Sequence, residues 1–381
     1  LVAMALSVSE HDMPTSLTVA LDTLDRLGVA LPRRASHADF LREHAEHLAL
    51  LGDAPIESLA DLPPMEDAAS IQAMRLLMSP IMVSVAFFSD RHLWATVVAR
   101  AVTLSQRRGV AASSFSGWAG FGYALGVALF DYPRGARYAQ LSRERRPPDP
   151  DPHMVALADY QGALVASWTR PLDEAMAGLG DVVRRLVTLD RITATAGVYF
   201  MAVARLLRGD PLAEVGRFVD DQLAVATQVG DRLGAASLGL RRRQIRSLRG
   251  LGAAAGRLDD EGFDEAAFAA GLPGQPHILR WWFGSVRIAL RWLAGEHAEA
   301  LALARELDAD VDWARGLFGV NEYHLYGALA AAAEFHRLAD QGLRRRLDAH
   351  ERHFAACAAV NPGTFGAMHA LVQAEITRID E

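Results

Sequence analysis

The sequence predicts an all-α protein, an α-solenoid of stacked helical hairpins with no sheet, and three observations carry that prediction. The first is a recurring tight turn between helical patterns at residues 129–133, 168–171, 207–211 and 293–296, with a weaker fifth at 248–250. Counted from Asp131 to Arg170, Gly209, Gly250 and Gly295, the turns are 39, 39, 41 and 45 residues apart. That is the length of one helix pair, and such a pair buries its apolar face only against its neighbours. The second is composition: 381 residues are 51% hydrophobic and only 8% aromatic, with Ala dominant, which suits close helix packing. The third is the lack of any stretch of sustained apolar–polar alternation.

Each element follows from its own signals. Residues 14–28 carry Leu17, Val19, Ala20, Leu24 and Leu27 at helical spacing, stopped by Gly28 and closed by Pro32. Ser36 caps a helix over 37–51 ended by Gly52. Pro63 and Pro64 mark a loop, and Asp67 caps a helix over 68–78. Asp90 begins a helix through Trp94, Val97, Val98 and Val102 to Arg108, with Gly109 as its stop. Helices then follow over 113–130, 134–143, 153–168, 172–189, 192–208, 212–229 and 232–249. Segment 250–277 holds six glycines and two prolines where a partner helix is due, and reads as a loop with one short turn. Helices resume over 278–293, 297–307, 313–335, 339–358 and 364–379. The organisation expected is one continuous array: less regular hairpins over 1–110, regular repeats over 111–249, the inserted loop, and C-terminal hairpins over 278–381.

All 39 basic residues are Arg, and without lysine there is no P-loop lysine, kinase strand lysine or Schiff-base lysine. The net charge of −7 and pI near 6.0 argue against nucleic acid as the main partner. One cysteine, Cys357, permits no internal disulfide and points to a reducing compartment. The longest apolar run, 76–88, is 13 residues, too short to span a bilayer, and residues 1–8 lack a basic lead and a cleavage site. A cytoplasmic protein with no membrane partner is expected. Leu1 in place of an initiator methionine predicts a piece of a longer polypeptide.

The step from an acidic turn into an Ala-rich helix, as in Gly295, Glu296, His297, Ala298, Glu299 and Ala300, resembles tetratricopeptide repeats, and Val229, Gly230 and Asp231 resemble their second-helix endings. The period exceeds the usual ~34 residues. A resemblance over nearly the whole chain rests on Leu27 through Pro32, on Asp61 through Met65, and on Phe121 through Leu125 ahead of Tyr132. It is completed by the run Gly262, Phe263, Asp264, Glu265, Ala266, Ala267, Phe268, and by Asn361 and Pro362 ahead of Phe365 and Glu375. It is to the TPR-like helical region of large bacterial signalling proteins that join a serine/threonine-kinase-like domain, an AAA or STAND-type ATPase, helical repeats, a GAF domain and a histidine kinase. The resemblance implies a right-handed superhelix without catalytic residues of its own, and kinase activities outside these residues.

Several residue groups offer candidate chemistry. His44 and His47, or His350, His353 and Cys357, share helix faces, but no HExxH or CxxC spacing completes a metal set. His350 and Glu351 open like a histidine-kinase phosphoacceptor box and then lack its proline. Asp220 and Asp221 suggest a magnesium motif, yet the position four beyond Asp220 is Ala224. Gly117, Gly120, Gly122 and Gly126 lack a preceding strand and suit close helix approach. The binding candidates are a groove formed by Phe263, Asp264, Glu265, Phe268, Trp281, Trp282 and Trp292, and a patch of Arg242, Arg246 and Arg249 for an acidic partner. For each, core packing or a solvated helix face is the competing reading.

The function expected is therefore a non-catalytic regulatory and protein-interaction module of a multidomain signal-transduction ATPase or kinase, with no metal and no cofactor. Its partners would be flanking domains, another protein or a small-molecule ligand. The alternative is the small-molecule-sensing helical-repeat domain of a STAND-type transcription regulator. An all-α enzyme would require a closed polar pocket with converging carboxylates or histidines.

Overall fold

A computed structural model describes residues 13–273, 277–338 and 340–381. Among them are nineteen α-helices and two short 3-10 turns, with no strand and only two isolated bridges, Pro64 with Val110 and Asp260 with Phe263. The chain divides into two compact units, the first ending at Thr169 and the second spanning Arg170–Glu381.

The first unit contains α1 (Met13–Arg26), α2 (His37–Leu51), the 3-10 turn Ile56–Asp61, α3 (Ala68–Leu77), α4 (Pro80–Ser89), α5 (Arg91–Arg108), α6 (Ser114–Leu129), α7 (Tyr132–Glu144) and α8 (Pro152–Thr169). Its caps are those read from sequence. The Asp39 carboxylate reaches back to the Ser36 N–H at 2.8 Å, Asp67 accepts from the Ser70 N–H, and Asp90 accepts from the N–H groups of His92 and Leu93. The expected helix over 14–28 stops at Arg26, and Gly28 stands two residues beyond it with φ 79°. Gly109 sits at φ 94°, and a Cβ there would lie 2.4 Å from the Pro63 carbonyl oxygen, so only glycine fits.

Helix α5 packs on α2 and α6, and α6 packs on α7 and α8. Residues from Ser114 to Val127 of α6 are all buried, so this helix has no solvent face. Helix α4 was not expected: Ser79 caps it and Pro80 occupies its first turn, splitting the apolar run 76–88 into two elements bent by 49°. No single helix among the described residues is long and apolar enough to cross a membrane.

The second unit contains α9 (Leu172–Leu189), α10 (Arg191–Arg208), α11 (Leu212–Gln228), α12 (Arg232–Leu248), α13 (Glu265–Ala270), α14 (His277–Leu293), α15 (His297–Leu307), the 3-10 turn Asp308–Asp310, α16 (Val311–Ala314), α17 (Val320–Leu338), α18 (Gln341–Val360) and α19 (Pro362–Asp380). Long helices pack on their successors, and α10, α12, α14, α17 and α19 also pack one on the next as a second series. Between α12 and α14 a full partner helix is replaced by an irregular segment holding only the six-residue α13.

Three of the recurring turns, at Gly209, Gly250 and Gly295, and the helix end at Gly230 share one hydrogen-bonded form. Gly209, Gly230, Gly250 and Gly295 lie at φ 69–84°, and the next residue donates its N–H to the carbonyl five residues back. These bonds are Asp210 to Arg205 at 3.0 Å, Asp231 to Ala226 at 2.9 Å, Leu251 to Arg246 at 2.8 Å and Glu296 to Arg291 at 2.9 Å. This is the Schellman closure, which satisfies carbonyls that the helix end leaves open. At the first turn Phe130 holds the left-handed position itself, at φ 59°.

The helix expected over 313–335 is a correction. The chain is helical only to Ala314, turns through Gly316 at φ 81°, and restarts at Val320, because Gly316 and Gly319 break the register that the apolar spacing suggested. The expected start at Ala339 lies outside the described residues, and α18 begins at Gln341.

Candidate functional site

The segment between α12 and α14 is fixed by arginines on α14. Glu265, 5% exposed, opens α13 and accepts from Arg287 Nε at 2.7 Å and from Arg291 Nη2 through one oxygen, while the other accepts the Leu258 N–H at 3.0 Å. Arg291 also donates to the Gly256 carbonyl and, at 2.9 Å, to Glu299. Phe268 packs between Phe263 and Phe283 at ring separations of 5.1 and 5.0 Å, and Arg243 lies 4.2 Å over Phe263. Asp264 is exposed and caps α13, accepting from the Ala267 N–H at 2.8 Å. The run 262–268 is thereby explained by docking: one buried carboxylate, two half-buried rings and a cap.

The expected groove is accordingly corrected in part. Trp281 and Trp282 are buried, with Trp282 stacked on Tyr199 at 4.1 Å and Trp281 beside Tyr323 at 5.4 Å. Together with Glu265 they are interior residues and present nothing to a partner. The reason is that α14 is covered by α12, α15, α17 and the irregular segment, so almost its whole circumference is core. Phe263, Phe268 and Trp292 are half-buried, and Trp292 lies 5.8 Å from Tyr326.

The arginine run also divides. Arg241, fully buried, donates to both Glu322 oxygens at 2.7 and 2.6 Å, to the Tyr199 hydroxyl at 2.6 Å and to Gln244 at 2.6 Å. Burial alone would lower its guanidinium pKa, but Glu322 and Tyr199 outweigh burial and hold it above the ordinary value, so it stays charged. Of the expected patch, Arg242 is paired with Asp220 at 2.9 Å on the surface, Arg246 turns to the Leu251 carbonyl at 3.1 Å, and Arg249 is exposed. Arg246 closes its own helix end and contributes least to an outward patch. Asp220 is engaged in that surface pair rather than in a carboxylate cluster.

His350 and His353 on α18 meet a third histidine, His324 on α17, that their spacing does not reveal. His324 Nδ1 lies 2.9 Å from His350 Nδ1, and the rings of His324 and His353 stack at 3.7 Å. His353 Nε2 is 2.9 Å from Asn321 Oδ1 and 3.5 Å from Cys357 Sγ. Burial drives all three below the usual imidazole range, aided by Arg346 at His350 and Arg315 at His353. His350 and His353 fall to about 3 and His324 is well below its ordinary value. They are neutral near pH 7, and stacked rather than convergent rings do not form a ligand set. No group of three or more His, Cys, Asp or Glu among the described residues is arranged to hold a metal ion. In the first unit His47 is held by Gln106 at 2.8 Å and by the Tyr138 hydroxyl, and His44 stacks against Phe40 at 6.0 Å.

The first unit carries an open cleft of about 490 Å³ that sequence reading missed, because its lining comes from three separated segments. Arg75, Ser79, Ile81, Ser113, Asp149 and Met154 are among the residues around it. No known protein family, curated protein or solved structure matches the chain.

Proposed function

We propose that the chain is a TPR-like α-solenoid acting in the cytoplasm as a non-catalytic regulatory and protein-interaction module of a multidomain bacterial signal-transduction ATPase or kinase. It would couple partner or ligand binding to flanking catalytic domains. The observation that carries this reading is the serial packing of the second unit, in which helices contact their successors and one alternate series runs from α10 to α19. Such an array deforms by small rotations at successive interfaces, which is a physical route for passing a binding event along the chain. The break in the packing of helices on their successors, the segment docked by Glu265, leaves Leu251, Glu261 and Asp264 exposed on its outer rim, and that rim is the surface assigned to the partner.

The test uses the parent polypeptide. Leu251→Asp with Glu261→Arg alters the rim without touching Glu265. It should weaken partner capture and change the partner's effect on ATPase or kinase rate by roughly tenfold, the loss expected for a central interface residue. Unchanged regulation in a folded variant would overturn the coupling. The cleft of the first unit favours a second reading, the sensor of a STAND-type transcription regulator, since its volume falls in the range of small-molecule sites. The flanking coding sequence separates the two: a GAF and histidine-kinase pair supports the first, a helix-turn-helix the second.

A further inference from the structure

Helix α2 is buried on one face and apolar on the other. Inward, Phe40 lies 6.4 Å from the ring of Phe121 on α6, Glu43 accepts from Arg100 Nε of α5 at 2.8 Å, and His47 meets the Tyr138 hydroxyl of α7. Outward, Ala38, Leu41, Ala45 and Leu48 are exposed, Leu41 by 38% and Leu48 by 40%. Their alternating steps of three and four residues continue to exposed Gly52, so small residues recur at 38, 45 and 52 and leucines at 41 and 48. A seven-residue repeat of this kind is the seam of a helix pair, in which the small residues admit close approach and the leucines interlock. A helix at the edge of a helical array ordinarily turns a polar face to water. This seam carries no polar side chain.

The flanking charges choose the occupant. At about 100° of rotation per residue, Arg42 stands beside the seam and Asp39 and Glu46 one row behind it on the same flank, while the other flank holds His37, His44 and Leu51. The Arg42 side chain is 71% exposed and gives Nη1 to Asp39 at 3.0 Å, and Glu46, 32% exposed, pairs with Arg107 at 2.8 Å. Antiparallel helices bring like flanks together, and parallel helices bring unlike ones. An antiparallel second copy therefore sets Arg42 against Glu46 of that copy, twice by symmetry, whereas a parallel copy sets it against histidines. The seam is also self-complementary: Leu41 and Leu48 are equidistant from the point between His44 and Ala45, so a two-fold axis there lays Leu41 of one copy on Leu48 of the other.

We propose that α2 is a self-association surface, pairing antiparallel with α2 of a second copy of this chain. Leu41 of each copy packs on Leu48 of the other, Ala45 lies by the axis, and Arg42 bridges to Glu46 across it. A single 15-residue helix on each side, about 22 Å long, is at the small end of specific interfaces, so the dimer is reversible with a Kd on the order of 10 μM. The association goes beyond the coupling proposed above, because it is read on the chain alone whatever the chain regulates.

The experiment is sedimentation velocity of the full chain from about 1 to about 300 μM, a span on either side of that constant. Monomer should give way to dimer as concentration rises. Ala45→Glu, at an exposed position on the axis, should weaken association by about tenfold or more, and Leu41→Gln with Leu48→Gln by about thirtyfold. Arg42→Glu should weaken it by about fivefold, and Arg42→Glu with Glu46→Arg should return it to within about twofold of the original. Orientation is read by disulfide trapping, since Cys357, the chain's one cysteine, is 1% exposed and shielded from exchange. In an oxidised mixture of Leu41→Cys chains with Leu48→Cys chains, the mixed dimer should exceed either like pair by about fivefold, because only Cα atoms within about 7 Å can be bridged. A chain that stays monomeric over the whole range would overturn the pairing and leave the seam to a different chain. An unchanged dimer in folded Ala45→Glu would overturn it as well, and an excess of like-pair disulfides would overturn the antiparallel arrangement.

Discussion

Two helix contacts, one in each unit of this chain, are held by opposite means. In the first, α6 and α7 meet backbone to backbone: a Cβ on Gly122 would fall 2.5 Å from the Gly135 carbonyl oxygen, and one on Gly135 would fall 2.3 Å from that of Gly122. Contact here is made by leaving side chains out. In the second, α12 and α17 are joined through the fully buried pair of Arg241 and Glu322, and α13 and α14 through Glu265 with Arg287 and Arg291. Contact there is made by long side chains whose charges are satisfied only by each other. The difference teaches that a close approach tolerates no added atom, whereas a buried ion pair tolerates replacement of both partners but not the loss of one.

The largest effect expected breaks the second device. Arg241→Ala should destabilise the second unit by about 3–5 kcal/mol, because Glu322 would be left charged and buried, with Tyr199 and Gln244 losing a donor. Arg241→Met with Glu322→Leu should recover most of that loss, as read by urea unfolding of the single and double variants. A double variant as unstable as Arg241→Ala would show that the pair is worth more than its desolvation. Next comes Gly122→Ala, expected to cost about 1–3 kcal/mol by pushing α6 from α7. Here the paired change Gly122→Ala with Gly135→Ala should be worse than either alone, the reverse of the arginine case. Gly178→Ala on α9, where a Cβ meets nothing within 4 Å, should be neutral or stabilising by up to about 1 kcal/mol. That control shows whether the crowding, rather than the loss of glycine, matters.

The sequence made some of this legible and hid the rest for physical reasons. Caps and stops are local chemistry, so Ser36, Asp67, Asp90, Gly52 and Gly109 could be read directly, and helix limits fell within one or two residues over most of the chain. The glycines of α6 were legible as a close-approach signal because their spacing is helical. Residues that act over distance were not. Arg241 and Glu322 are 81 positions apart, and in a run with Arg242, Arg243, Arg246 and Arg249 nothing local marks Arg241 as the buried one. Glu265 looked like part of a surface motif, since a carboxylate in a glycine-rich loop gives no hint that two arginines of the next helix will enclose it. The cleft joins residues 75–81, 112–113 and 147–154, and no single-segment pattern carries it.

Acid sharpens the comparison further. In the second unit His324, His350 and His353 are neutral when folded and would take protons when unfolded near the ordinary imidazole value of about 6.5. Between about pH 6.5 and the depressed values, near 3 for His350 and His353, the unfolded state binds more protons. Stability is thus fully present above 6.5 and lost as pH falls. Each histidine contributes a slope approaching about 1.4 kcal/mol per pH unit, so a fall from about pH 6.5 to 5.5 should cost about 1 kcal/mol per histidine and about 3 kcal/mol for the three, since the protons go on gradually. In the first unit His44 and His47 are held down, again by burial first. Hydrogen exchange at pH 7 and pH 5 should show amides of α17 and α18 losing protection before those of α2 and α5. Equal loss in both units would refute the assignment of acid sensitivity to the histidine cluster.

The smallest effect tests the boundary between structural and surface arginines. Arg242 neighbours Arg241 in sequence, yet its side chain is about half exposed and pairs with Asp220 across open solvent, so screening leaves the pair little net value. Arg242→Ala should change unfolding free energy by no more than about 0.5 kcal/mol, and adding 0.5 M salt should abolish even that, since charges are screened within about 4 Å at such ionic strength. If Arg242→Ala cost as much as Arg241→Ala, the stabilising property would belong to the charge of the whole run and not to enclosure of one guanidinium. The contrast drawn between the two units would then lose its second term.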